Sequence, residues 1–228
     1  MNKIAVLPHS YVAGSQHWFE KKNFFSQNGR LRRYGCGVIA AADYSIYRHV
    51  FDAPKHREAY LSLVREMERG FLRVIPGFGI SAYLYAGLMN LTFVRMSAQE
   101  RLRGVSFFFY TKKARQRLLT IIQEQLLADR PVIIILGSTP FFFKKRRGVT
   151  LYQINNDTVE AAAEHVAAHF ITVTGIYEVS QKTMLEVYSW GRRYLMSPDE
   201  YLKAARYTYP FSNRIYRSRV MLKRMKNF

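Results

Sequence analysis

The chain has 228 residues, 49% of them hydrophobic and 15% aromatic, which excludes an intrinsically disordered protein and allows a sizeable core. Its 35 Lys and Arg against 16 Asp and Glu give a formal net charge of +19, a field that attracts polyanions and anionic surfaces at low salt, although solvated surface charge is the simpler explanation of the excess. One cysteine excludes a disulfide framework and a cysteine-rich zinc site, and Met1 to Leu7 is an apolar piece too short for a signal peptide, so the expected compartment is the cytoplasm.

No repeat or linker divides the sequence, so a single domain over 1–228 is expected, helical over about 1–130 and sheet-forming over about 131–228. From Cys36 to Val50, the residues Val38, Ile39, Ala42 and Ile46 fall on one side of a helix that ends before Pro54. His56 to Leu72 carries Ala59, Tyr60, Leu63, Val64, Met67 and Phe71 as an apolar stripe with charged residues opposite. After the turn Pro76-Gly77-Phe78-Gly79, Ser81 to Met96 predicts a buried helix. The apolar stretch Phe78 to Val94 falls short of the roughly 20 residues of a membrane span.

Gly104 to Tyr110 predicts a short strand, and Thr111 an N-cap for a helix packed through Leu118, Leu119, Ile122, Leu126 and Leu127. Val132 to Leu136 is apolar at every position, the pattern of a central strand covered on both faces. Further strands are predicted at Val149 to Ile154, Phe170 to Glu178, Met184 to Tyr188 and Arg192 to Met196. A short helix follows from Pro198 to Ala205, with Ser197 as its cap and Asp199-Glu200 near the positive end of its dipole. Helices first and a mainly antiparallel sheet after make the fold class α+β.

The chemistry centres on Tyr34-Gly35-Cys36-Gly37. Flanking glycines let another molecule approach the thiol closely, and a helix N-terminus favours its thiolate, whereas a lone cysteine is otherwise a small buried hydrophobe. His169 opens the β-branched run that ends at Ile176, and Ser189-Trp190-Gly191 closes the next strand. His165 and His169, four apart and preceded by Glu160 and Glu164, suggest zinc ligands on a helix face. The glutamate of His-Glu-x-x-His is missing, however, and the residues after His169 favour a strand, so no metal is expected. Neither a Walker sequence nor a dinucleotide glycine fingerprint is present, and no cofactor is expected.

Gly35-Cys36-Gly37 at a helix start, His169 entering a strand that reads His-Phe-Ile-Thr-Val-Thr-Gly, and Ser189-Trp190-Gly191 ending the following strand resemble the papain-like cysteine peptidase superfamily. In overall spacing the chain is similar to the bacterial peptidases that process double-glycine leader peptides, over about residues 27–45 and 165–202. The resemblance implies a papain-like fold with the nucleophile helix packed on the C-terminal sheet, and a peptide or protein substrate. It also implies a Cys36 thiolate paired with His169 as general acid and base. The Cys36 backbone N–H and a side-chain amide, from Gln27 or Asn28, would receive the oxyanion. Where the family has Asn or Asp to orient the histidine, this chain has Tyr188-Ser189. Ser189 is the expected orienter, with Glu186 and Tyr188 as other candidates, and Trp190 would shield the contact from water.

Two other readings stand beside this one. The first is a papain-like fold with a degenerate site. The second is a polyanion or nucleic-acid binder that uses Lys144-Lys145-Arg146-Arg147 next to Phe141-Phe142-Phe143, and Tyr207, Tyr209 and Tyr216 among C-terminal arginines.

Overall fold

The computed structural model describes residues 1–21, 23, 25–108, 110–137, 148–155, 158–205 and 213–218. In chain order the elements are β1 (Asn2–Val6), a 3-10 turn (Gln16–Trp18), α1 (Gln27–Tyr34), α2 (Cys36–Tyr47), α3 (Arg57–Arg69), α4 (Tyr85–Arg95), β2 (Leu102–Ser106) and α5 (Lys112–Leu127). There follow β3 (Val132–Leu136), β4 (Val149–Asn155), β5 (Thr158–Val166), β6 (His169–Val179), β7 (Lys182–Ser189), β8 (Arg192–Met196), α6 (Pro198–Ala205) and β9 (Arg214–Ser218). The protein is therefore α+β. Among the described residues, six α-helices surround one antiparallel sheet in the order β2-β9-β3-β6-β7-β8-β4-β5, with β1 paired to β6 off that path.

The apolar run of β3 is explained by its place in this sheet. Alternate residues of a strand point to opposite faces. Val132, Ile134 and Leu136 accordingly enter a core shared with α5 and α6, while Ile133 and Ile135 enter a second core built by α1 to α4. Burying each such side chain contributes about 1.5–3 kcal/mol, so a strand immersed on both faces can be apolar throughout. β6 lies between β3 and β7, and its pairing with β3 sets Leu136 opposite His169. The far half of β6 pairs with β1 on the edge that β3 vacates, with Val6 opposite Gly175.

Caps decide where several helices begin. The hydroxyl of Thr111 accepts the N–H of Ala114 at 2.9 Å and starts α5, and that of Ser197 accepts the N–H of Glu200 at 3.3 Å at the head of α6. Ser26 does the same for Gly29 at 3.1 Å, so Gln27 and Asn28 lie in the first turn of α1.

The division into a helical first part and a sheet-forming second part is softened by two strands, β1 and β2, which the first 130 residues contribute to the sheet. β5 was not anticipated either. Its run Glu160-Ala161-Ala162-Ala163-Glu164 favours helix by propensity, but the strand lies at the sheet edge, largely exposed, and is held by its ladder to β4. The expected buried helix over Ser81 to Met96 begins only at Tyr85 and buries one face, through Tyr85, Met89, Thr92 and Phe93.

Candidate active site

Cys36 is the first residue of α2, and α2 packs on β6, whose first residue is His169. The two line one cleft of ≈ 610 Å³, together with Tyr34, Ile80, Tyr83 and Phe170. Cys36 is half-buried. Burial pushes it above its ordinary value, while the backbone N–H groups of Phe170, Gly37 and Cys36 itself point at the sulfur and pull in the other direction. Burial, reinforced by His17, also lowers the His169 imidazole to about 4.

These shifts favour a neutral thiol beside a neutral imidazole and oppose the thiolate–imidazolium pair that the family resemblance implies. Each charge would have to form where burial disfavours it, more so at the buried His169 than at the half-buried Cys36. Alkylation of Cys36 by iodoacetamide is therefore expected to be slow at pH 6 and to climb through and beyond pH 9, because the thiolate appears only above the raised value while His169 stays neutral down to about 4. A rate already at its plateau at pH 6 would show that the ion pair forms despite burial.

The far side of the imidazole is occupied. Nε2 of His169 lies 2.6 Å from Oγ of Ser189, both side chains being buried. The β7–β8 hairpin closes on the pair Ser189 and Arg192 with only Trp190 and Gly191 between. Both turn residues have positive φ, 50° for Trp190 and 75° for Gly191, as a two-residue hairpin twisted like its strands requires. In that left-handed conformation the Trp190 ring stacks on His169, centroids 4.6 Å apart and planes 23° from parallel, and covers the Ser189 contact. The other orienter candidates are engaged elsewhere. Glu186 accepts from the Thr174 hydroxyl at 2.8 Å and meets Arg193, and the Tyr188 ring packs on Tyr11 at 5.2 Å.

The structure does not bring Gln27 and Asn28 to the cleft. Nε2 of Gln27 donates to the Arg65 carbonyl and to Glu68, both at 2.9 Å, and Oδ1 of Asn28 accepts from Arg65 at 3.1 Å, so α3 consumes both amides. The amide that does line the cleft, and the narrower space behind it that Ser189 and Trp190 border, is Gln16. Its Oε1 is buried and has no hydrogen-bond partner among the described residues, leaving a polar capacity that they do not use.

Gln16 is held from two directions. Arg32 of α1 donates to the carbonyls of His17 and Phe19 at 2.6 Å each. From α2, the buried Asp43 accepts the Gly14 N–H on both carboxylate oxygens at 3.0 and 3.1 Å and the Tyr60 hydroxyl at 2.6 Å. Burial pushes Asp43 up to about 7 even though these donors favour its charged form. Gly14 is needed for this approach, since a Cβ there would stand 1.9 Å from the Tyr60 oxygen. The sequence distance of Gln16 from Cys36 hid it, because α1 is inserted between them.

His165 lies exposed on β5 and His169 begins β6, so the two do not share a helix face. No group of three His, Cys, Asp or Glu side chains that could hold a metal ion occurs among the described residues. Tyr216 is no stacking platform either. It is buried in the sheet and its hydroxyl donates to the Ala82 carbonyl. Phe141 to Phe143, Lys144 to Arg147, Tyr207 and Tyr209 lie outside the described residues. No described helix is long and apolar enough to cross a membrane.

Compared with known proteins, the chain matches no family model and no curated protein.

Proposed function

We propose that the chain is a papain-like cysteine hydrolase acting on a peptide or other amide or thioester carbonyl. The observation that carries this reading is the buried 2.6 Å contact between His169 and Ser189 beneath Trp190, in the same cleft as a cysteine at a helix start. With Ser189 accepting the Nε2 proton, the Nδ1 lone pair is left to act as base. Cys36 Sγ bonds to the carbonyl carbon while its proton passes to Nδ1. The charge that develops on the carbonyl oxygen is met by the Cys36 N–H and the Gln16 amide. The carbonyl–leaving group bond then breaks as imidazolium returns the proton to the amine or thiol. Water attacks the resulting thioester with His169 again as base, which releases the acid and restores the thiol.

A peptide thioester with an aromatic residue at its acyl end is a suitable probe, since the cleft wall contains Tyr34, Phe78, Tyr83 and Phe170. Intact-mass measurement is expected to show an acyl group on Cys36 followed by turnover, with neither seen for Cys36→Ala. If iodoacetamide modifies Cys36 but the thioester leaves no adduct and no product, the hydrolase reading is wrong and the scaffold is a degenerate one.

A further inference from the structure

Helix α4 is apolar on both sides and uses only one of them for the core. Leu84, Leu91 and Val94 are 55%, 48% and 56% exposed, and with the half-buried Leu88 they recur at the i, i+4, i+7, i+10 spacing of a single helix face. That face is open at Gly87, where an added Cβ would meet no described atom of another element within 4 Å. The patch continues to Tyr83, 68% exposed, and to Phe78, 87% exposed, on the lip of the cleft. A patch of this kind on a water-soluble surface marks an interaction site.

The charges of the segment that carries it have one sign. From Gly70 to Ala98 the sequence contains no acidic residue, while Arg73 and Arg95 are both exposed. The guanidinium of Arg214 lies over the Tyr83 ring, 5.3 Å from its centroid. An aliphatic and aromatic stripe flanked by arginines is complementary to acyl chains beneath anionic headgroups.

We propose that this face docks the protein on an anionic membrane surface, with Leu84, Leu91 and Val94 entering the interfacial region and the arginines meeting lipid phosphates. Phe78 and Tyr83 belong to both the patch and the cleft, so docking turns the mouth of the cleft toward the lipid. The inference stands whether or not Cys36 is a nucleophile.

Cosedimentation with phosphatidylglycerol–phosphatidylcholine vesicles at about 0.15 M salt tests it, with vesicles of phosphatidylcholine alone as the comparison. The protein is expected to bind the anionic vesicles, and Leu91→Ser with Val94→Ser, which leaves the charge unchanged, to weaken binding roughly tenfold or more. Both positions are half exposed, and an unchanged melting temperature would confirm that the double variant is folded. Vesicle binding that the double variant retains in full would assign it to the overall charge and overturn the proposal, as would no binding at all. A dimer that the same two substitutions dissociate would give the face to a second copy instead.

Discussion

Replacing His169 by alanine is expected to slow acylation of Cys36 by roughly 10²–10⁴-fold, the range that a positioned general base contributes. Burial raises the thiol above its ordinary value, so attack requires a group to take its proton, and the neighbouring carboxylate cannot substitute. Asp43 is committed to the Gly14 N–H and the Tyr60 hydroxyl. Alanine at His165, exposed on β5, should leave the rate unchanged. Ser189→Ala should cost less than His169→Ala, about fivefold, because one hydrogen bond that orients the ring contributes about 1 kcal/mol and the Trp190 stack remains to hold it. Single-turnover acylation of the four proteins, followed by intact mass, checks the ranking. A His165 variant slower than the His169 variant would mean that the wrong histidine has been placed in the site.

Gln16→Ala is expected to lower the same rate by roughly 10²–10³-fold, as loss of one oxyanion donor does, with little change in melting temperature. The two halves of this expectation have separate grounds. The amide lines the cleft, and its Oε1 makes no hydrogen bond among the described residues. Gln27→Ala should do the opposite. It leaves the rate alone and destabilises the protein by about 1–3 kcal/mol, because one donor to the buried Glu68 is lost and, among the described residues, Arg30 alone is left on that carboxylate. Equal rates for Gln16→Ala and the parent chain would remove the side-chain amide from the mechanism.

What could be read from residues alone was whatever their neighbours in sequence decide. Thr111 and Ser197 stand one residue before runs of helical period, and a cap needs nothing beyond the N–H groups two or three residues on. β3 could be recognised as central because unbroken aliphatic character is sustainable only where both faces are covered. Cys36 between glycines at a helix head, and His169 at the head of a strand, were visible for the same reason.

Other features depended on partners far along the chain. Glu160 to Glu164 became strand against its propensity because β4 supplied a ladder, and the outer face of α4 stayed uncovered because the core reached only Tyr85, Met89, Thr92 and Phe93. Gln27 and Asn28, near Cys36 in sequence, were drawn away by α3, whereas Gln16, beyond the inserted α1, was brought to the thiol by Arg32 and Asp43. The sequence by itself thus determined the local conformations and the two groups that begin α2 and β6. Only the tertiary structure decided which amide lines the cleft, that the Ser189 hydroxyl meets the imidazole, and that burial raises the thiol and lowers the imidazole, because proximity and desolvation belong to the packed chain and not to any segment of it.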